Sequence, residues 1–422
     1  MTVTTDPAAS SRATAAPPAA GLKDSAFEYV ARVRGGDVGS LPAVLGLIAL
    51  TAVFAFLRPS TFTSAPNFSN LIHQSAALVV IAMGLVFVLL LGEIDLSAGY
   101  AAGTGSAVMG IVLTRHGQPW EVAVLAGLGT GALIGACIGL LVSRLGIPSF
   151  VVTLAAFLGL QGVLLQLIGE GGTIAIRDDR LLALNNNNLP VAAGWVLLVV
   201  VLAAYAAVSL RRALTRRSEG LTADATAVVL GKVAVLAVLL GGATLFLNAE
   251  RSRNPLTNSV KGVPEVVVLL LVLLVALNFL LGRTSFGRHV YAVGGNAEAA
   301  RRSGINILQV RLICFVLCST LAALGGFLLA SYDNSVSPST GGSDTLLYAV
   351  GAAVIGGTSL FGGKGKMMDA VLGGLVIAVI INGMGLLNQK SSVVYMVTGI
   401  VLLVAASVDA LSRKKAQSTG RV

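Results

Sequence analysis

The sequence predicts an all-α polytopic membrane protein of about 10 to 12 transmembrane helices, and three observations carry that prediction. Hydrophobic residues make up 55% of the 422 positions and charged residues only 11%, whereas soluble domains carry roughly 25% charged residues. The mean hydropathy is +0.86. Apolar stretches of about span length recur from Leu41 almost to the C-terminus, and crossing a hydrocarbon core takes roughly 20 apolar helical residues.

Taken in order, residues 1–40 are rich in Ala, Pro, Ser and Thr with mixed charge and read as a disordered tail. A cleavable signal would put its apolar core close to the first methionine, but the first such core starts at Leu41, so this stretch is expected to stay as an anchor. Twelve apolar stretches follow, at about 41–57, 70–92, 98–114, 119–143, 147–169, 190–210, 227–247, 264–282, 311–330, 345–361, 367–387 and 391–411. Several are 17 residues long and adjoin Gly-rich joints, so two or more are expected as half-helices. The membrane region is thus 41–411, interrupted by a basic loop over 283–311, and 412–422 forms a basic tail.

Lysine and arginine favour the cytoplasmic side. With twelve spans and the N-terminus inside, twenty of them fall in inside segments, while Arg58, Arg115, Arg177, Arg180, Arg251, Arg253, Lys261 and Lys390 make eight outside. Lys232 lies in the seventh span. Both termini are therefore expected in the cytoplasm of a multi-pass plasma or inner-membrane protein. The net charge of +10 is scattered over short loops without aromatic interleaving, which argues against nucleic acid as a partner.

Little in the chain suggests an enzyme or a metal centre. Cys137, Cys314 and Cys318 lie in apolar stretches and read as small buried hydrophobes. His73, His116 and His289 are far apart, and HExxH and CxxC are absent. Glu121, Lys232 and Asp409 stand near span ends, where a charged head can reach the interface. The pair Gly363-Lys364 fails as a phosphate loop, which would need Gly at 358 and Ser or Thr at 365 where this chain has Thr358 and Gly365. No metal or cofactor is expected on this chain.

Glycine, at 50 residues, is used in two ways. Gly127, Gly131, Gly135 and Gly139 recur every four residues in the fourth span, a small-residue face for close helix packing. The segments Gly92 to Gly99 and Gly356 to Gly365 mix glycine with polar residues at span junctions. Unwound backbone at membrane depth must be buried in protein or line a wet cavity; these segments are either the edge of a pathway or plain tight turns.

In the basic loop Asn296 can cap a short helix, Glu298 suits its positive N-terminal end, Arg301 and Arg302 suit its negative C-terminal end, and Gly304 can close it. So short a helix is not stable alone in water and must dock, on its own spans or on a partner.

The loop from Phe286 to Asn306 resembles the hallmark cytoplasmic loop of permeases from bacterial ribose, galactose, arabinose and xylose ABC importers. Ile94-Asp95-Leu96-Ser97, the segment Pro148 to Leu154 and the segment Val354 to Leu360 match the other three motifs in their usual order. The likeness covers about 70 to 411 and is greatest to the xylose-type permease, with its long loop after the fifth span, additional span pair near 190 to 247, and Gly262-Val263-Pro264. What this resemblance implies is a permease homodimer in membrane lipid, two ABC ATPase subunits that carry ATP and Mg, and an extracytoplasmic sugar-binding protein. It also implies a role in coupling to the ATPase for Gly294, Gly295, Asn296, Glu298, Ala299, Ala300, Arg301, Ser303 and Gly304. Asp95, Leu96, Ser97, Thr153, Gly356, Gly357, Thr358 and Ser359 become candidates for the translocation pathway.

The chain departs from the family pattern at Glu93, Gln161, Leu346 and Tyr348, and the acids Asp333 and Asp344 lie near the last two. The function implied is import of a monosaccharide, most simply a pentose. The readings left beside it are an ion-gradient-driven carrier for a small polar solute, a structural or receptor subunit with no pathway, and, within the same class, import of lipid or branched-chain amino acids by a related permease, which the four motifs fit less well.

Overall fold

A computed structural model describes residues 39–219, 226–252, 254–256 and 259–418, with the backbone alone at 409 and 412–418. The tail expected over 1–40 lies almost wholly outside the described residues, as do Arg253 and the last four positions of the C-terminal tail.

All twelve apolar stretches form helices. In chain order the elements are α1 (Leu41–Leu57), the one-turn α2 (Pro59–Phe62), α3 (Ala65–Leu90), α4 (Ala98–Thr114), α5 (Trp120–Arg144), α6 (Ser149–Ile168) and the strand β1 (Ile174–Ala175). Then come α7 (Asp179–Asn186), α8 (Val191–Ser218), α9 (Thr226–Leu247), α10 (Val266–Arg283), α11 (Ser285–Gly295), α12 (Ala297–Arg302) and α13 (Ile307–Tyr332). The strand β2 (Ser335–Val336), α14 (Ser343–Gly356), α15 (Met367–Leu386) and α16 (Ser391–Ser418) complete the chain. Among the described residues nine helices are long and apolar enough to cross a membrane, and α1, α4 and α14 are the shorter apolar ones. At 17 and 14 residues α4 and α14 rise only about 25 and 21 Å, so short helices stand beside the Gly-rich junctions. Helix α16 continues to Ser418, into the residues expected as the basic tail.

The chain divides into two compact units. The described part of one is 192–219 and 226–246, the additional helix pair. Here Val196, Val199 and Val238 are more than half exposed, a surface that suits hydrocarbon, and the helical backbone pairs its interior groups within each span, as lipid demands.

The other unit holds Gly36–Val191 and Leu247–Val422. Its centre is α3, apolar on every side and buried on every side from Ser75 to Leu90. Helices α13, α15 and α14 pack around it, and α5 packs along α13. The glycine face of α5 makes that last contact: a Cβ on Gly127, Gly131 or Gly135 would lie 2.4 to 2.6 Å from the Phe327 ring, the Ser319 carbonyl or the Phe315 carbonyl. Methyl groups there would drive the backbones apart and forfeit the packing that holds helices together where lipid competes.

Polar side chains tie the ends of α3, α13 and α15 farthest from α11 and α12. Asn67 and Asn382 each donate their amide to the other's carbonyl at 3.0 Å, and Asn382 also donates to Gln74 at 3.3 Å. Gln74 donates to the Tyr332 hydroxyl at 3.3 Å, which itself donates to Asn70 at 3.0 Å. At this end β1 pairs antiparallel with β2, Ile174 opposite Val336, and Asp178 caps α7 by accepting from the amides of Arg180 and Leu181. Glu250 staples the loop before α10: its carboxylate accepts from the Ser259 hydroxyl at 2.7 Å and from the amides of Arg251, Ser252 and Val260, with Lys261 at 3.5 Å. The Ser259 bond first, then the amides, hold its pKa down at about 2.

Candidate functional site

The long basic loop folds as two consecutive short helices. Thr284 caps α11, its Oγ1 accepting from the Gly287 amide at 3.2 Å. Asn296 caps α12, its Oδ1 accepting from the Ala299 amide at 2.9 Å. Glu298 lies in the first turn of α12 and pairs with Arg301 and Arg302 of the last turn at 3.5 and 3.2 Å, and Gly304 turns the chain at a φ of +82°. The helix read from Asn296 to Gly304 is thus present with its caps. Sequence reasoning misses α11, although Thr284 ahead of Phe286, Val290 and Val293 carries both an N-cap and helical apolar spacing. Val290, Val293 and Ala300 are buried against the spans, while Glu298, Ala299, Arg301, Arg302, Ser303 and Gly304 are exposed. One side of the helix pair docks on its own chain and the other is presented outward.

The docked side meets a joint made of backbone. A Cβ on Gly294 would lie 1.8 Å from the Leu90 carbonyl oxygen and 2.8 Å from the Gly363 amide nitrogen. That amide donates to the same Leu90 carbonyl at 2.8 Å. One on Gly362 would lie 2.9 Å from both the Gly294 carbonyl and the Gly92 nitrogen. The end of α11, the end of α3 and the loop after α14 therefore interlock through glycine. Tyr291 adds a bond, its hydroxyl donating to the Gly365 carbonyl at 2.7 Å. Burial, then the nearby Asp369 carboxylate, hold the Tyr291 phenol above its ordinary pKa and keep it a donor.

The remaining candidate residues fall beside this joint. Asp95 Oδ1 accepts from the Ser97 amide at 2.9 Å and the Ser97 hydroxyl at 2.6 Å, a turn that starts α4. Its Oδ2 is buried without a hydrogen bond among the described residues. Thr153 donates to the carbonyls of Ile94 at 3.2 Å and Ser149 at 2.8 Å, and the Ile94 amide donates to the Ser149 hydroxyl at 3.3 Å. Thr358 donates to Asp369 at 3.3 Å, the carboxylate that also accepts from the Lys366 amide at 2.8 Å, and the Ser359 amide donates to the Lys364 carbonyl at 2.9 Å. Asp95, Ser97, Thr153, Gly356, Thr358 and Ser359 are buried, whereas Leu96 and Gly357 are half-buried. The 94–97 segment thus bonds to the 148–154 segment, and the loop helices meet the chain that follows the 354–360 segment at the glycine joint.

Glu93 has a partner there that the sequence did not reveal. Its carboxylate lies 3.0 Å from the Arg311 guanidinium in the first turns of α13, both side chains largely buried. The ion pair ties the α3–α4 junction to the chain leaving the loop helices. At the start of α4, Gly99 and Gly103 pack on the carbonyls of Thr340, Gly341 and Gly342, so the two short helices α4 and α14 begin against each other.

The chain is similar to known proteins over most of its length. Residues 67–406 match the family described as branched-chain amino acid transport system / permease component. The xylose transport system permease protein XylH of Escherichia coli K12 is 35% identical over 372 residues, 88% of this chain and 92% of that protein. The ribose import permease protein RbsC of the same organism is 30% identical over 368 residues, 87% of this chain and 92% of its own. The fructose import permease protein FrcC of Rhizobium meliloti is 29% identical over 380 residues, 89% and 88% of the two chains. No solved structure matches the chain.

Proposed function

The chain belongs to the family of transport-system permease components, among its xylose-type monosaccharide members, and from that premise we propose that it is the membrane-spanning subunit of an ATP-driven importer of a pentose such as xylose. It is a transport subunit and not an enzyme; ATP and Mg are bound, and ATP hydrolysed, on two partner ATPase subunits. Two copies of the chain, embedded in lipid with both termini in the cytoplasm, enclose the path, and an extracytoplasmic binding protein delivers the sugar. The ATPases grip the exposed side of α12 around Glu298, Ala299, Arg301, Ser303 and Gly304.

The observation that supports this most is the interlock of Gly294 with Leu90 and Gly363. Side chains could slide past one another, but main chain packed too closely to admit a Cβ moves together. A pull on α11 and α12 therefore reaches the end of α3, the 92–97 junction and the 357–365 loop at once. Such a pull shifts the permease only if the ATPases contact its two states differently, as they do when ATP closes them.

The test is uptake of radiolabelled D-xylose into vesicles bearing this chain with its ATPase and binding protein. Uptake should need ATP and all three components and ignore an ionophore. Uptake by this chain alone, lost on adding an ionophore, would replace the proposal with the ion-driven carrier.

A further inference from the structure

Aromatic residues are scarce in this chain, at 5%, yet three of its seven tyrosines gather around one carboxylate. Asp344, in the first turn of α14, is exposed. The Tyr395 hydroxyl of α16 donates to Asp344 Oδ2, and the Tyr395 ring lies against that of Tyr348, centroids 6.5 Å apart and planes at 28°. Tyr100 of α4 approaches from the other side, its hydroxyl 3.8 Å from the place of a Cβ on Gly342. Its ring stands edge-on to Phe157 at 4.7 Å, and Gln161 is close to its hydroxyl. Two of these residues, Gln161 and Tyr348, are among the positions where the chain departs from the family pattern.

The place of this cluster suits a role distinct from coupling. Tyr395 is the fifth residue of α16, about 6 Å along that helix from its start, and the length of α14, about 21 Å, separates Asp344 from the glycine joint. Asp344 and Tyr395 therefore lie towards the side of the unit away from α11 and α12. Lone tyrosines at such a level commonly anchor a helix at the lipid interface. That role does not account for Tyr100, which is 6% exposed, nor for three helices converging on one acid.

We propose that Asp344 and the rings of Tyr348 and Tyr395, backed by the buried Tyr100, form a carbohydrate contact on the permease itself. It takes a monosaccharide in its ring form, two neighbouring hydroxyls on the carboxylate and one CH face on the tyrosines. A carboxylate is acceptor-only with room for two donors, and tyrosine offers an apolar face beside a polar tip, the combination that orients a small polyol. The proposal rests on the importer reading above and adds where the sugar first meets this chain.

The experiment is uptake of radiolabelled D-xylose, D-ribose and D-fructose by the whole importer in vesicles, with ATP turnover measured in parallel and each variant normalised to the amount inserted. Asp344→Asn weakens two charge-assisted bonds and should cut sugar moved per ATP by about tenfold. Tyr395→Phe keeps the ring and should give a smaller loss. The sugar concentration giving half-maximal uptake, which the binding protein sets, should not move. Tyr205→Phe, in the additional helix pair, should be unchanged. Sugar per ATP within twofold of the parent in both Asp344→Asn and Tyr395→Phe, or an equal loss in Tyr205→Phe, overturns the contact and leaves the importer standing. Failure of the parent complex to carry any of the three sugars overturns both.

Discussion

Gly294 and Gly295 are neighbours with opposite surroundings, and the pair offers a sharp test of the backbone joint. A methyl group on Gly294 starts 1.8 Å from the Leu90 carbonyl oxygen, and reaching the 3.0 Å that real contacts require means parting the two segments by about 1.2 Å. That shift breaks the Gly363 to Leu90 hydrogen bond of 2.8 Å, a net loss of about 1 kcal/mol. Overpacking adds roughly 1 to 3 kcal/mol, so Gly294→Ala should destabilise the joint by about 2 to 4 kcal/mol. The same methyl group on Gly295 meets nothing within 4 Å, and glycine to alanine in a helix is neutral or gains up to about 1 kcal/mol. Thermal unfolding of the purified chain in detergent should show Gly294→Ala melting several degrees early and Gly295→Ala at or above the parent. Equal melting of the two variants, in either direction, refutes the idea that the joint is made of interlocked main chain.

Three further outcomes are expected. Glu298→Ala removes the acid from the first turn of α12 and Gly304→Ala strains a residue held at a φ of +82°; each should abolish coupled uptake while membrane insertion, read by fractionation, is kept. The Glu93–Arg311 pair should show an interaction energy of about 0.5 to 3 kcal/mol in a double-mutant cycle of Glu93→Gln and Arg311→Gln, read from unfolding of the detergent-solubilised chain; additive losses would mean the two charges do not act together. Glu250 is held at about pKa 2 against an ordinary 4.5, so its loop is fully stapled above about pH 4.5 and loosens as pH falls towards 2. Protection of the Val260 amide from hydrogen exchange, corrected for intrinsic rate, should fall over that window, and Glu250→Gln should lack it already at neutral pH; equal protection in both proteins at neutral pH would rule the staple out.

Periodicity and composition made the helices legible because in lipid each span must satisfy its own backbone, so every span announces itself as an uninterrupted apolar run. The cap of α12 was legible for a similar reason: Asn296, Glu298, the two arginines and Gly304 are local signals read within nine positions. The joint was not, since nothing local tells that Gly92, Gly294 and Gly362 meet across gaps of hundreds and tens of residues. The glycines of α5 could be assigned to packing, yet their partner α13 is equally a matter of tertiary structure. Glu93 looked only like a departure until Arg311 appeared beside it, and the tyrosines at Asp344 come from three helices that no periodicity links.

The burial of α3 bears on how the protein is made. A helix this apolar enters the bilayer by itself, and at first lipid tails cover its whole circumference. Its finished neighbours α13 and α15 begin 217 and 277 residues after Leu90, so at roughly 5 to 20 residues per second α13 starts to emerge only about 10 to 45 s later. During that interval the amides of Asn67, Asn70 and Gln74 lack their eventual partners on α13 and α15. Assembly is then a late event in which the C-terminal half strips lipid from the N-terminal half, and a nascent chain halted before Ile307 should expose α3 to any quality-control protease that works within the membrane.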